Sequence, residues 1–324
     1  MTEAAIETAA KFRDPDWTAN GEKRARVALN ELRTLWINTG SLCNIECRNC
    51  YIDSSPTNDR LAYITTGEVS RFYEEIAATR LPVKEIGFTG GEPFMNPDII
   101  AMVEDALARG FSVLILTNAM QPMLRPRVRS GLLALRDNFR DHLTLRVSLD
   151  HYTMALHEQE RGTDSFEKTV EGIDWLAWAG LKIALAGRTC WGESEADARK
   201  GYAALIKSRN WPVDAGDASS LVLFPEMDAR AELPEITESC WSILGKDPRQ
   251  MMCASSRMVV KRKGADRPVV LPCTLLPYDP AFEMGATLSE AARANGGMFE
   301  HGAVKLCHPY CAEFCVLGGG SCST

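Results

Sequence analysis

Short apolar segments alternate with longer segments of helical periodicity between residues 34 and 224. The apolar segments predict strands at residues 34–39, 85–89, 112–117, 143–149, 182–189 and 220–224. The periodic segments predict helices at residues 65–80, 98–109, 128–135, 165–179 and 194–208. This alternation favours an α/β fold in which helices cover a parallel sheet. The six strands, with a predicted helix after each of the first five, are counted as six strand–helix units, which are too few for a complete eight-unit barrel of about 250 residues.

The alternation ends near Pro225, and the chain beyond it is rich in proline, glycine and cysteine. The first thirty residues are polar and precede the first predicted strand. We therefore predict three parts: an N-terminal helical arm at residues 1–33, an α/β domain at residues 34–225 and a small Cys-rich domain at residues 226–324.

Composition and charge exclude several classes of protein. The net charge of −7 provides no basic surface, which disfavours nucleic acid as the main partner. No apolar run reaches the roughly 20 residues that span a bilayer, and the first residues lack the basic and apolar regions of a secretory signal. We therefore predict a cytoplasmic protein without a membrane partner, in which the 11 cysteines do not form structural disulfides.

Three of these cysteines, Cys43, Cys47 and Cys50, lie in one short loop after the first predicted strand. A four-iron cluster normally takes four cysteine thiolates, so three thiolates leave one iron open to another ligand. The spacing, with the aromatic Tyr51 directly after the last cysteine, resembles the signature of the radical S-adenosylmethionine (radical SAM) superfamily. The resemblance implies that the amino and carboxylate groups of SAM chelate the open iron.

The resemblance also implies a fold and a reaction. The fold would be a partial (β/α)6 TIM-like barrel, which agrees with the six predicted units. A [4Fe-4S] cluster on the three cysteines would cleave SAM reductively, and the 5′-deoxyadenosyl radical would take a hydrogen from a small-molecule or peptide substrate. The electron would come from a low-potential donor similar to flavodoxin or ferredoxin. Because only about thirty residues precede the first strand, we favour a small molecule, or a peptide that a separate protein delivers, over a peptide that needs a leader-recognition domain in the chain itself.

A second motif, Gly90-Gly91-Glu92, follows the second predicted strand and its last residue, Thr89. Glycines at the carboxyl end of a strand let the backbone approach a ligand closely, although a Gly-Gly pair alone can be a plain turn. The segment resembles the Gly-Gly-Glu motif of the radical SAM family. The resemblance implies that these three residues hold the amino group of SAM.

Polar residues also follow the later strands, at the edge where parallel α/β sheets bind ligands. The resemblance to the radical SAM family extends to Ser148, Asp150 and Arg161. It implies that Ser148 meets the ribose or carboxylate of SAM and that Arg161 pairs with its carboxylate. Capping of a helix by Ser148 and Asp150, or a surface salt bridge formed by Arg161, would explain these residues equally well. Together with Tyr51 and Thr89, the predicted SAM-binding residues at these strand ends are Asn118, Ser148, Asp150, Arg161 and Arg188.

Six further cysteines lie between residues 253 and 322, two of them flanking a basic, hairpin-like stretch. This arrangement resembles the Twitch and SPASM appendages, which bind auxiliary iron–sulfur clusters. The ligands predicted for one auxiliary [4Fe-4S] cluster are Cys253, Cys273, Cys311 and Cys315, with Cys322 or Cys307 as replacements. A structural zinc site is the alternative, since four thiolates also suit zinc. Among the histidines, His308 alone is kept as a candidate ligand.

Two other classes of protein remain possible from the cysteines alone: a non-catalytic iron–sulfur electron carrier and a zinc-stabilised binding protein. Neither class needs a ligand-binding strand edge, so the Gly-Gly-Glu loop and the six strand–helix units disfavour both. The oligomeric state has no signal in the sequence.

Overall fold

An eight-stranded sheet forms the centre of the computed structural model, which describes residues 11–225 and 232–320. Its strands are β2 (Thr34–Asn38), β3 (Glu85–Thr89), β4 (Ser112–Thr117), β5 (Leu143–Ser148), β6 (Lys182–Arg188), β7 (Leu221–Phe224), β8 (Ser256–Val260) and β9 (Val269–Leu271). They are hydrogen-bonded in the order β7-β6-β5-β4-β3-β2-β8-β9.

The six predicted strands are confirmed as β2 to β7, and each pairs in parallel with its neighbour along the chain. The predicted partial α/β barrel is therefore also confirmed. Strand β8 adds a seventh parallel strand beside β2, and β9 turns back antiparallel to β8, as the hairpin-like stretch predicted. The sheet thus crosses residue 225, and the division into domains at that residue stays a prediction.

Helices cover the sheet between successive strands. They are α1 (Thr66–Thr79), α2 (Ile99–Ala108), α3 (Gln121–Leu124), α4 (Pro126–Phe139), α5 (Met154–Arg161), α6 (Ser165–Trp178), α7 (Glu195–Arg209), α8 (Cys240–Leu244) and α9 (Leu288–Ala291). Short 3-10 turns lie at Pro93–Met95, Arg140–His142, Pro248–Gln250, Met252–Ala254 and Pro280–Phe282, and a π-helix at Cys311–Leu317. The five predicted helices are confirmed within a few residues, whereas the shorter helices α3, α5, α8 and α9 were not predicted.

The capping-box spacing at Thr65 determines where α1 begins. The Thr65 side chain accepts a hydrogen bond from the backbone N–H of Glu68, and the Glu68 carboxylate accepts one from the backbone N–H of Thr65. The two bonds satisfy two of the backbone groups that the first turn of a helix leaves unpaired. The sequence therefore placed the start of this helix correctly.

The N-terminal segment differs from its prediction. Residues 11–33 contain no helix; instead β1 (Arg26–Val27) pairs antiparallel with β11 (Ala303–Lys305), which pairs in turn with β10 (Phe299–Glu300). The predicted helical arm is therefore wrong for residues 11–33, and residues 1–10 lie outside the described part. The physical reason begins at Asp14, whose carboxylate accepts the backbone N–H groups of Asp16 and Trp17 and so forms a turn that competes with a helix.

The middle of the sheet packs around Trp36, which is fully buried on β2. Gly87 lies opposite it in register on β3, and a Cβ atom there would come within 2.3 Å of the indole ring. A side chain at this position would thus displace the largest residue of the core. In the described part of the chain, no helix has the length and apolar character needed to cross a membrane.

Candidate functional site

A cavity lies at the carboxyl edge of the parallel strands. The three cysteines of the loop after β2, Cys43, Cys47 and Cys50, all line it. Of the predicted SAM-binding residues, all but Glu92 line the same cavity, namely Tyr51, Thr89, Gly90, Gly91, Asn118, Ser148, Asp150, Arg161 and Arg188. The structure therefore brings together residues from the ends of five strands, as the parallel register requires.

The Gly90-Gly91-Glu92 segment runs beside the start of the cysteine loop. The Gly91 N–H donates to the Gly40 carbonyl (2.9 Å), and the Glu92 N–H donates to the Leu42 carbonyl (3.1 Å). A Cβ atom at Gly91 would lie 2.1 Å from the Leu42 oxygen, and one at Gly90 would lie 2.6 Å from the Gly40 oxygen. The glycines are thus needed because the chain itself approaches them, a packing reason that the sequence did not reveal.

The other side of the cysteine loop contacts helix α5. The Arg48 N–H donates to the Glu160 carbonyl (2.7 Å), and the Asn49 amide donates to the Glu160 carboxylate (3.0 Å). Arg188 Nη2 donates to the Asn49 carbonyl (2.8 Å). Sequence reasoning missed Asn49 and Glu160, since nothing in a spacing of 111 residues marks them as partners.

Glu92 lies behind the cavity wall and is only 1% exposed. Its carboxylate accepts hydrogen bonds from the Phe94 N–H, from Thr117 Oγ1 and from the Asn118 N–H. Burial raises the pKa of Glu92 to about 7, although these hydrogen bonds oppose the shift. The side chain therefore ties the Gly-Gly-Glu segment to the end of β4.

An ion-pair network forms one wall of the cavity. Arg161 binds the Asp150 carboxylate through two hydrogen bonds, of 2.8 and 3.0 Å, and Arg188 Nε lies 3.7 Å from the same carboxylate. Burial would raise the pKa of Asp150, but the two arginines outweigh it and hold the pKa below its ordinary value. The Arg161 side chain is 11% exposed, so its pair is not a surface salt bridge.

The three thiols lie in different surroundings along the cavity wall. Burial raises the pKa of Cys43 to about 12 and also raises that of Cys47. Cys50 Sγ accepts a hydrogen bond from the Ser54 N–H at 3.3 Å. Metal binding here would displace thiol protons, because the thiolate is the ligand.

The donor set of this cavity fits a cluster better than a single ion. Within residues 11–225 and 232–320, no three His, Cys, Asp or Glu side chains converge closely enough to hold one metal ion. The three thiols instead line a shared wall, and an iron–sulfur cluster places one thiolate on each of several irons.

A second, apolar cavity contains the other predicted ligands. Cys253, Cys273, Cys311 and Cys315 line it together with methionine, leucine, valine and proline side chains. Cys307, one of the two replacements, does not line it and donates its S–H to the Phe12 carbonyl at 3.2 Å. The other replacement, Cys322, lies outside the described residues.

His308 is not among the residues that line the second cavity. Its Nδ1 accepts the Tyr310 N–H at 3.1 Å, and its ring packs edge-on against Phe282. Burial lowers the pKa of His308. The His308 side chain therefore has structural partners, and the His308 carbonyl accepts the Cys311 N–H at 2.9 Å.

The sequence profile of the radical SAM superfamily matches residues 37–194, which span β2 to β6 and the cysteine loop. Residues 37–194 are therefore similar to the radical SAM domain. Mycofactocin maturase MftC of Mycobacterium tuberculosis is 30% identical over 146 residues, which are 44% of this chain and 34% of MftC. AdoMet-dependent heme synthase of Methanosarcina barkeri is 29% identical over 144 residues, which are 44% of this chain and 38% of that protein. The chain thus spans about a third of the length of these curated relatives.

The likeness in fold extends beyond the radical SAM domain. The structure of Streptococcus suis SuiB bound to S-adenosylmethionine has a TM-score of 0.59 and 12% identity, and the match covers 82% of this chain and 66% of SuiB. At this identity the comparison shows the fold alone. The match therefore includes residues on both sides of Pro225.

Two features join the radical SAM domain to the second cavity. Thr274 and Leu275 directly follow Cys273 and line the first cavity, so one short segment contributes to both. Tyr51, Phe224 and Phe314 form an aromatic cluster, in which Phe224 is 6.2 Å from Tyr51 and 5.8 Å from Phe314 between ring centroids. Sequence reasoning missed Phe224 and Phe314, because single aromatic residues carry no sign of where they pack.

Proposed function

We propose that this chain is a radical SAM enzyme with an auxiliary iron–sulfur cluster. The observation that supports it best is the first cavity, which is lined by the three thiols after β2 and by polar residues from four further strand ends. An electron carrier or a zinc-stabilised binding protein would not need the strand-end residues. When bound, a [4Fe-4S] cluster supplies the electron that cleaves SAM, and the 5′-deoxyadenosyl radical takes a hydrogen from the substrate.

In this proposal, Cys43, Cys47 and Cys50 hold three irons and leave the fourth for the amino and carboxylate groups of SAM. The loop can hold that geometry because both of its sides are fixed, by the Gly90-Gly91 segment and by Glu160. The residues that orient the cluster are therefore ordered by the fold itself, which lowers the entropic cost of binding.

The polar residues around the cavity orient SAM. The backbone of Thr89, Gly90 and Gly91 would meet its amino group, with Glu92 holding that segment against Asn118. Ser148 and Asp150 would meet the ribose, and Tyr51 would pack beside it.

Arg188 is the better candidate for the carboxylate of SAM, because Arg161 is already paired bidentately with Asp150. Arg188 Nη1 is buried without a hydrogen-bond partner among the described residues. A free guanidinium N–H in a buried wall favours an anionic ligand. Arg161 would then hold the Asp150 carboxylate in place and add positive charge to the cavity wall.

We assign the auxiliary cluster to Cys253, Cys273, Cys311 and Cys315 in the region 226–324, with Cys322 as a further candidate ligand. Their support is the shared apolar cavity, in which Cys253 and Cys311 are buried and Cys273 and Cys315 are half-buried. A cluster there would accept an electron from the substrate radical, or hold the substrate beside Thr274 and Leu275.

Of the two substrate classes considered from the sequence, a small molecule and a peptide, we propose a peptide. The support is the name of the MftC relative, a maturase, and that of AlbA of Bacillus subtilis, a bacteriocin biosynthesis protein that is 25% identical over 193 residues. The heme synthase relative supports a small molecule as the second candidate. A low-potential flavodoxin-like or ferredoxin-like donor would supply the electron, and the oxygen-sensitive clusters favour the cytoplasm.

The test is to count iron and sulfide after anaerobic reconstitution and to follow 5′-deoxyadenosine with dithionite as the reductant. We expect about eight irons in the wild type and about four in the Cys43→Ala/Cys47→Ala/Cys50→Ala variant, because each cluster holds four. The triple variant should form no 5′-deoxyadenosine, whereas Cys311→Ala/Cys315→Ala should still form it. Retained SAM cleavage in the triple variant, or zinc in place of all iron, would overturn the proposal.

A further inference from the structure

A buried arginine lies beside the second cavity. Arg257 is the second residue of β8 and is only 1% exposed. Its guanidinium donates to three main-chain carbonyl groups, those of Cys253 (2.6 Å), Ser256 (2.7 Å) and Gly302 (3.1 Å). Its Nε has no hydrogen-bond partner among the described residues.

The charge of Arg257 lacks the usual partner. The ion pairs of the described residues do not include it, and the acidic groups that act on it electrostatically are the thiols of Cys253 and Cys273. A fully buried cation without a counter-ion is strongly unfavourable, and carbonyl dipoles compensate it only in part. Within the described residues, the negative charge that balances Arg257 would therefore come from the cysteine side.

A thiolate-bound iron–sulfur cluster would supply that charge. Four thiolates outweigh the positive charge of the iron–sulfur core, so the bound cluster is an anion, and reduction by one electron makes it more negative. A fixed cation nearby stabilises the reduced form more than the oxidised form and so raises the reduction potential. The low-dielectric, apolar lining of this cavity strengthens the effect.

We propose that Arg257 is the counter-cation of the auxiliary cluster and raises its reduction potential. This inference rests on the proposed assignment of that cluster to Cys253, Cys273, Cys311 and Cys315. A raised potential suits a cluster that accepts an electron from a substrate radical, because the electron then moves to the more favourable site. Arg257 contacts the backbone of Cys253, whereas the reacting atoms lie in the first cavity. Its proposed role is therefore to adjust the reduction potential of the cluster, without direct contact with the reacting atoms.

The experiment uses the full chain with Cys43→Ala/Cys47→Ala/Cys50→Ala, so that the second site alone can hold iron. Arg257→Gln removes the charge, Arg257→Lys keeps it, and Arg267→Gln removes an exposed arginine of the same hairpin as a control. Iron content and the midpoint potential are measured by anaerobic dithionite titration followed by electron paramagnetic resonance. Arg257→Gln should lower the equilibrium constant for reduction about tenfold, a shift of about 59 mV to lower potential for one electron.

The other two variants keep the inference separate from a structural role. Arg257→Lys and Arg267→Gln should stay close to the unsubstituted potential. If Arg257→Gln and Arg257→Lys lose iron equally, or if neither shifts the potential, the arginine only supports the backbone and the proposal is wrong. The melting temperature provides a second measurement. Arg257→Gln should lower the melting temperature of the iron-loaded chain more than that of the metal-free chain, whereas the loss of a purely structural role would lower both equally.

The outcome also separates this proposal from the proposed function. If the Cys43→Ala/Cys47→Ala/Cys50→Ala background binds no iron while the wild type still cleaves SAM, the radical SAM assignment stands and the role of Arg257 is refuted. If the background holds about four irons and the wild type does not cleave SAM, the potential shift alone decides the role of Arg257.

Discussion

Tyr51 and Phe314 meet edge-on, with their ring centroids 5.4 Å apart and their planes at 72°. Tyr51 directly follows Cys50, and Phe314 directly precedes Cys315. One aromatic contact therefore joins the cysteine loop of the radical SAM domain to the π-helix that bears two of the C-terminal cysteines. The arrangement makes the positions of the two cysteine groups dependent on each other.

We predict that Phe314→Ala lowers iron content at both cysteine groups. Phe314 is fully buried, and deleting such a side chain typically costs about 3–5 kcal/mol of the free energy of unfolding. Urea unfolding and iron analysis after reconstitution would measure the two effects. Phe72→Ala is the matched control, because Phe72 is also buried, lies on α1 and lines neither cavity. Iron loss in the control as large as in Phe314→Ala would contradict a specific role for the aromatic contact.

Gly91→Ala should disturb the cysteine loop without a change in chemistry at any ligand. The new Cβ would lie 2.1 Å from the Leu42 oxygen, so the backbone that leads into Cys43 must move. We expect at least a tenfold loss of 5′-deoxyadenosine formation and lower iron content in the first cavity. Gly67→Ala in α1 has nothing within 4 Å of its Cβ and should leave both quantities unchanged. Full iron content and activity in Gly91→Ala would show that the close approach is not required.

Asp150→Ala should destabilise the protein more than most single substitutions. It would leave Arg161 and Arg188 buried without their shared carboxylate, and breaking a buried pair typically costs about 3–5 kcal/mol. The free energy of unfolding in urea measures the effect. Asp137→Ala is the control, since the Asp137 side chain is 63% exposed and should contribute little. Equal losses in the two variants would refute the buried network as the cause.

The parallel sheet and most of its ligand edge could be predicted from the sequence for one physical reason. Parallel strands place their carboxyl ends together, so residues that follow separate apolar segments, such as Thr89, Asn118 and Ser148, must meet. The cysteine spacing then indicated which chemistry that edge supports. Local signals of this kind also located the start of α1 through Thr65.

Contacts between distant segments could not be predicted in this way. The bond between Asn49 and Glu160 joins residues 111 positions apart, and neither residue type marks its partner. Within residues 11–33, β1 (Arg26–Val27) pairs with β11, which is remote in sequence, so that pairing could not be predicted either. The local sequence does not specify a distant partner for a backbone segment. The prediction therefore followed local propensity, whereas the fold depends on tertiary pairing.

Glu92 should make stability depend on pH. The pKa of Glu92 is about 7 in the folded protein, compared with 4.5 for a glutamate in the unfolded chain, so the folded state keeps the proton to higher pH. The contribution of protonated Glu92 to the free energy of unfolding is fully present below pH 4.5 and is lost as the pH rises through 7. The free energy of unfolding should fall by about 3 kcal/mol over this range. Glu92→Gln should remove this slope, although the amide would mispair with Thr117 and lower stability by a constant amount. The measurement is the free energy of unfolding of the metal-free wild type minus that of Glu92→Gln between pH 4.5 and 8. A difference that stays flat, or that grows in favour of the wild type as the pH rises, would mean that the buried carboxylate is ionised throughout and that its three donors outweigh its burial.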